Sequence, residues 1–374
     1  YYNNLFKSLK LLPSDFRSKE DLLKIPVLNK KIIRENFEDI VPININKYKY
    51  KHGKTGGSTA EPLRFYHDLH SWSFCYANSM FYWNKLGYEI GDKYLALGSS
   101  SIIPDVGISF KHKIYYYLKG KISKSAMNLN DEQLIDYLYF IQKNNISYIY
   151  GYASGVYLLA KKALELNFDS SIIKGCITTS ELLLPDYKRT IMDAFKCNVL
   201  DAYGAADGGI TGLNYNGENF EVGYNSIADV GNQNLKLGNL YVTDLLNFSF
   251  PFIRYEVGDS AEIGYDKSYN GQIINKLLGR TPEIIKLENG RTLIAPGFTV
   301  LFSGLNVKSY RIMKDGANTI RIDIVKDINY SNKDEQTILS SFKSHAGLDC
   351  QINLNYLDKF ELTNSGKRNY FITS

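Results

Sequence analysis

The stretch GKTGGSTAEP, Gly53 to Pro62, sets three glycines and three hydroxyl residues within ten positions. Small residues let backbone N–H groups approach an anion, and hydroxyls add further donors. Thr55, Gly56, Gly57, Ser58 and Thr59 thus have the chemistry of a phosphate-binding loop. Gly53-Lys54-Thr55 is not the end of a Walker loop: that motif needs glycine five positions before Gly53, and Tyr48 stands there. Taken alone, the stretch reads as well as a flexible Gly/Ser turn with no ligand. Cys75, Cys176, Cys197 and Cys350 offer little metal chemistry, because none forms a C-x-x-C pair and no His lies at ligand spacing. Neither structural zinc nor a disulfide framework is expected, and a reducing, cytoplasmic compartment fits.

The elements that would position such a loop are legible between Asn128 and Gly209. Asn130 is placed as an N-cap with Gln133 three residues on, ahead of apolar Leu134, Ile135, Leu138 and Ile141 at helical spacing. Ile146–Tyr152 is β-branched and aromatic, hence a strand. SGVYLLAKKALEL reads as a helix capped by Ser154. IIKGCITTS is the next strand, LPDYKRTIMDAF a helix with Pro185 in its first turn, and Cys197–Gly204 another strand. Such alternation predicts parallel strands covered by helices. After Gly279 the pattern changes to a hairpin around Asp315-Gly316, one helix in SNKDEQTILSSFKSHAGL and a strand in CQINLNYL. The expectation is an α/β protein: a large domain over residues 1–278 with mixed and parallel strands, and a small α+β domain over 279–374.

Bulk composition bounds the function. At 374 residues two domains are expected. The 44% hydrophobic content supports a sizeable core, and a net charge of +5 without a basic block argues against a dedicated nucleic-acid binder. No apolar run approaches the ~20 residues that span a bilayer. The chain begins at Tyr1, so a cleaved targeting segment is not readable from it. The 30 tyrosines fit an AT-rich genome or an aromatic surface.

Further stretches stand in order along the chain: YGYASGVYLLAKKALE from Tyr150, GCITTSELLLPDYKRTIMDAF from Gly175, DAYGAADGG from Asp201, LYVTDLLNFSFPFIRYEVGD ending at Asp259, LGRTPEIIKLENGRTLIAP from Leu278, and TNSGKRNYF near the C-terminus. Together they resemble the adenylate-forming superfamily of acyl-coenzyme A synthetases. The likeness is greatest to the phenylacetate–coenzyme A ligase branch and its capsule-biosynthesis relatives, and it includes the N-terminal SKEDLLKIPVLNKKIIRENF. The resemblance implies that a carboxylic acid attacks the α-phosphate of ATP. A thiol, usually that of coenzyme A, then displaces AMP. An amine or a carrier protein is the alternative acceptor, and a nucleotide-binding pseudo-enzyme is a reading from another class.

The resemblance assigns roles position by position. Thr55, Gly56, Gly57, Ser58 and Thr59 match the loop that holds the ATP phosphates. Gly56 and Ala60 depart from the usual Ser and Gly. Ser180, Glu181, Asp201, Ala202, Tyr203 and Gly204 match the adenine and AMP contacts, with Tyr203 supplying a flat face. Asp207 matches the Mg²⁺-holding Glu and is shorter by one methylene, roughly 1.5 Å of reach; Ala206 replaces the usual Thr. Asp259 matches the carboxylate that accepts both ribose hydroxyls, and Arg280 matches a second ribose-region contact. Lys367 matches the mobile catalytic lysine, a cation where carboxylate and α-phosphate meet. Pro282 stands at the hinge after Arg280 and restricts φ there. Tyr152, Ser180 and Ala205 are placed near the acyl pocket. The resemblance leaves the acid and the oligomeric state unspecified.

Overall fold

The computed structural model describes residues 1–54, 63–98, 110–126, 129–215, 217, 219–231, 236–280, 284–288, 292–294, 301–302, 305–358, 360 and 371–372. The chain divides into two compact units, Tyr1–Leu277 and Leu278–Ser374.

In the first unit three short helices, α1 (Tyr2–Ser8), α2 (Lys30–Glu35) and α3 (Phe37–Ile40), precede the antiparallel strands β1 (Tyr50–Lys54) and β2 (Arg64–Asp68). Helix α4 (Leu69–Asn84), β3 (Tyr94–Gly98), α5 (Phe110–Leu118) and β4 (Lys121–Ser125) follow. The expected alternation comes next: α6 (Asp131–Lys143), β5 (Tyr148–Tyr152), α7 (Ala153–Glu165), β6 (Gly175–Thr179), α8 (Pro185–Phe195) and β7 (Asn198–Ala205). Strands β8 (Ile210–Asn214), β9 (Phe220–Val222), β10 (Ser226–Asp229), β11 (Leu237–Asp244), β12 (Tyr255–Asp266) and β13 (Gly271–Arg280) complete an eleven-stranded sheet. Its order is β10-β11-β12-β13-β9-β8-β7-β6-β5-β3-β4. The β4, β3, β5, β6 and β7 half is parallel, and the chain turns antiparallel at β7–β8.

Local chemistry accounts for the helix starts. Asn130 accepts from the Gln133 N–H at 2.9 Å while Gln133 accepts from the Asn130 N–H at 3.3 Å, a reciprocal cap for α6. Pro185 occupies the first turn of α8, where a missing N–H costs nothing. The start of α7 departs from the expected Ser154 cap. The helix begins at Ala153, and the Ser154 N–H is bound by Glu181 Oε2 at 2.8 Å, so a side chain 27 residues away closes the helix end.

The parallel strands alternate between two apolar layers, as period-2 geometry demands. Cys176 and Val199 join Leu138, Ile141, Val156 and Leu159 of α6 and α7 on one face. Ile177 and Leu200 join Tyr82, Trp83, Tyr88 and Tyr148 on the other. Several tyrosines are thus core residues. A third cluster, with Leu28, Phe65, Leu240, Val242, Phe250, Phe252 and Tyr255, fills the antiparallel half.

In the second unit β14 (Ile284–Lys286) pairs with β15 (Thr292–Ile294). A four-stranded sheet is formed by β16 (Val307–Gly316), β17 (Thr319–Lys326), β18 (Gln351–Tyr356) and β19 (Phe371–Ile372), in the order β18-β17-β16-β19. Helix α9 (Asn332–Ala346) places Ile338 and Phe342 against Ile312, Ile320, Ile322 and Ile324. The hairpin at Asp315-Gly316, the helix and strand β18 in CQINLNYL fall where the sequence pattern puts them. Buried Asp323 accepts from Arg311 at 2.7 Å, Arg321 at 2.8 Å and Asn355 at 2.9 Å. Burial raises its pKa, but these donors prevail and hold it below the ordinary value.

Candidate active site

Parallel strands present their carboxyl ends side by side, and a crevice there is the usual place for a ligand in an α/β sheet. The register brings Tyr152, Ser180 and the Ala202 to Ala205 segment to one such edge. Tyr152 pairs with Thr179, and Thr179 pairs with Ala202. Tyr152 closes β5, Ser180 follows β6, and Tyr203, Gly204 and Ala205 extend β7 past its parallel partner into the β8 pairing. Ser180 is held at φ +67°, a left-handed conformation that a non-glycine residue adopts at a cost. Tyr152 is buried beside Ala96.

Two tyrosine–carboxylate pairs then tie β7 to β12. Tyr203 Oη donates to Asp259 Oδ2 at 2.7 Å, and Tyr255 Oη donates to Asp207 Oδ2 at 2.6 Å. The pairing is crosswise. β7 supplies a tyrosine and the turn after it, four residues on, an acid; β12 supplies the same two types at the same spacing. Each acid is thereby held by a tyrosine about fifty positions away in sequence, Asp259 by Tyr203 and Asp207 by Tyr255. Tyr255 was not singled out from the sequence. Its signal lay in RYEVGD itself, one residue beyond the arginine.

Asp201 sits one turn of the pleat behind. Thr178 Oγ1 donates to its Oδ1 at 2.8 Å. The residue is half-buried but its carboxyl is enclosed, and burial pushes its pKa up to about 7 against the opposing pull of Thr178 and Lys188. Glu181 is committed to the start of α7 through the Ser154 N–H. Ala202 continues β7 between Asp201 and Tyr203.

Behind the Asp207 turn lies a polar cluster that the sequence did not reveal. Gly208 and Gly209 have φ of +96° and +68°. A Cβ on Gly209 would stand 2.1 Å from Asp244 Oδ2. Asp244 accepts from Ser71 Oγ at 3.0 Å and from the Leu246 N–H at 2.9 Å, and burial still pushes its pKa up to about 6. Asn225 Nδ2 donates to the Gly209 carbonyl at 2.7 Å, fixing the turn from the other side.

Arg254 of the IRYEVGD motif has a positional role. It is buried, it donates to Asp229 through Nε at 3.3 Å and Nη2 at 3.1 Å, and its Nη1 reaches the Ile25 carbonyl at 2.7 Å. The N-terminal SKEDLLKIP segment is thus fastened to the sheet beside the site. Thr55, Gly56, Gly57, Ser58, Thr59, Ala60, Pro282 and Lys367 lie outside the described residues. Arg280 ends β13, and its side chain is likewise outside them.

Residues 287–374 match the family described as the CapK C-terminal domain. Over 365 residues the chain is 23% identical to protein CapK of Staphylococcus aureus, covering 94% of this chain and 80% of that protein. Among solved structures it is similar to 2-hydroxyisobutyryl-CoA ligase in the postadenylation state in complex with R3-HIB-AMP, with a TM-score of 0.74, 15% identity, and coverage of 100% of this chain and 85% of that one. It is also similar to O-succinylbenzoate coenzyme A synthetase (MenE) from Bacillus subtilis in complex with AMP, with a TM-score of 0.60, 15% identity, and coverage of 85% and 67%. The fold is therefore the one found in these acyl-CoA ligase structures, as the motif resemblance implied. CapK is a sequence relative of this chain.

Proposed function

We propose that this protein activates a carboxylic acid with ATP, giving an acyl-adenylate and pyrophosphate, and then passes the acyl group to a thiol, with coenzyme A as acceptor. The crosswise pairs Tyr203–Asp259 and Tyr255–Asp207 carry the reading, because they tie the segment with the residues matched to adenine and metal to the strand with the residue matched to ribose. The motif likeness to phenylacetate–coenzyme A ligases and the AMP-bound state of a similar structure support it.

In this reading Tyr203 offers its ring to adenine and Asp259 accepts the ribose hydroxyls. Arg280 assists at the ribose, and Ser180, Glu181, Asp201, Ala202 and Gly204 line the AMP contacts. Thr55, Gly56, Gly57, Ser58 and Thr59 hold the β- and γ-phosphates, which disperses charge as pyrophosphate leaves. Lys367 brings its cation to the acid carboxylate and the α-phosphate, two anions that otherwise repel. The carboxylate of Asp207 suits Mg²⁺, a hard cation that takes oxygen ligands, and the two left-handed glycines after it shape the turn that presents it. When bound, Mg²⁺ neutralises phosphate charge. Tyr152, Ser180 and Ala205 border the acyl group. The large domain, residues 1–278, binds ATP and acid, and the small domain, 279–374, moves about a hinge beside Pro282. A cytoplasmic location fits this chemistry.

The test is ATP–pyrophosphate exchange over a panel of carboxylic acids. Acid-dependent exchange is expected. Measurable ATP binding without exchange on any acid would overturn adenylation and leave a nucleotide-binding protein. AMP release that requires coenzyme A supports the thiol acceptor. Release that requires an amine transfers the second step to amide formation.

A further inference from the structure

Helix α5 differs from its neighbours in burial. Helices α4, α6, α7 and α8 each bury part of one face, whereas α5 buries none of its nine residues. Its sequence is FKHKIYYYL. At about 100° per residue, Phe110, Ile114, Tyr117 and Leu118 fall within one arc about 100° wide. That arc is the solvent side: the four residues are 76, 44, 83 and 68% exposed. Lys111 and Lys113 lie at its two edges, both exposed. Tyr116, on the opposite face, is the half-buried residue, with Lys121 Nζ 5.1 Å from its ring centroid. Just beyond the helix, Lys119 Nζ stands 3.7 Å over the Tyr76 ring and 4.5 Å over Tyr115. Tyr116 alone of the nine is half-buried, so the helix is solvated nearly all round and its apolar stripe faces outward, bordered by Lys111 and Lys113.

A surface helix ordinarily buries such a stripe. Exposed apolar patches of this kind mark interaction sites. Charge selects the partner. Residues 110–126 contain Lys111, Lys113, Lys119, Lys121 and Lys124 and neither Asp nor Glu. A second copy seated symmetrically on the stripe would set lysine against lysine. An anionic bilayer complements it: apolar side chains enter the headgroup boundary while flanking lysines meet lipid phosphates. We propose that α5 is an interfacial anchor that holds this protein against an anionic membrane surface. Nine residues are too few to span a bilayer, and no described helix is long and apolar enough to cross one. The proposal is independent of the adenylation reading.

The test is co-sedimentation of the full chain with phosphatidylcholine vesicles containing about a quarter phosphatidylglycerol, and with phosphatidylcholine alone. Binding to the anionic vesicles is expected, falling several-fold as salt is raised from about 0.1 to about 0.5 M. Phe110→Ser with Leu118→Ser lowers that binding at least about tenfold. Lys111→Glu with Lys113→Glu removes the preference for anionic lipid. All four positions are exposed, so both variants should melt like the parent chain. Absence of binding to anionic vesicles overturns the proposal, as does binding that survives Phe110→Ser with Leu118→Ser. A dimer by light scattering that this double variant converts to monomer, without vesicle binding, assigns the stripe to a second copy instead.

Discussion

Asp201 shows how one enclosed carboxyl couples stability to pH. Burial raises its pKa to about 7 in the folded chain, above an ordinary value near 4. Between those limits the folded state holds a proton that the unfolded chain has released. Its contribution is full below about pH 4 and is lost as pH rises toward 7. Asp201→Asn keeps an acceptor for Thr178 and removes the titration. The variant should therefore melt above the parent at pH 8, by at least about 2 °C, with a smaller difference at pH 4. An identical parent and variant pH profile by calorimetry would refute this. His67 works in the opposite sense: burial lowers its pKa to about 4, so its contribution is lost as pH falls below about 6.5. Comparison at each pH, parent against variant, separates the two. Gly209 is a second residue-scale case. Its φ of +68° and the 2.1 Å approach of a Cβ to Asp244 Oδ2 leave no room for alanine. Gly209→Ala should cost more than about 2 kcal/mol in urea denaturation, through strain and a displaced buried acid.

At the scale of elements, β7 with the turn that follows it and β12 matter most, because each supplies half of both tyrosine–carboxylate pairs. Strand β7 pairs in parallel with β6 over Asn198–Ala202 and antiparallel with β8 over Asp201–Ala205. β7 runs three residues past its last β6 pair, which leaves that side of its carboxyl end open at Tyr203. Strand β12 is set by Arg254 just before it, whose guanidinium joins Asp229 and the Ile25 carbonyl. Arg254→Met should destabilise the chain by on the order of 3 kcal/mol, because it leaves a largely buried carboxylate unpaired. A urea midpoint close to the parent value would show that the N-terminal segment docks without it. The caps of α6 and α7 show what is legible at this scale. Asn130 and Gln133 meet across three residues, so composition and spacing reveal them. Glu181 reaches α7 from another loop, and its spacing from Ser154 carries no signal.

At the scale of the whole molecule the proposed chemistry draws on both units, which is why single substitutions in each should affect different quantities. Lys367→Ala should lower the adenylation rate by on the order of 10²–10³ in pyrophosphate exchange with ATP binding little changed. Near-parental exchange would remove Lys367 from the reaction. Asp259→Ala should mainly weaken ATP, by about 1.5–3 kcal/mol for lost charge-assisted hydrogen bonds, read by calorimetric titration. Unchanged affinity would remove Asp259 from the nucleotide site. Measured together, the two variants separate binding by the first unit from chemistry supplied by the second.

The amino-acid order by itself determined the alternation of helix and strand from Asn130 to Ala205, the change of pattern after Gly279 and the set of motifs that resemble adenylate-forming enzymes. These depend on periodicity, caps and local runs, which act over a few residues. Only the tertiary structure decided that Tyr203 meets Asp259, that Tyr255 meets Asp207, and that Asp244 stands against Gly209. It also decided that Glu181 caps α7 and that α5 turns its apolar stripe outward. Those outcomes depend on sheet register and on which face of an element finds a neighbour, and both are set by contacts between residues far apart in the chain.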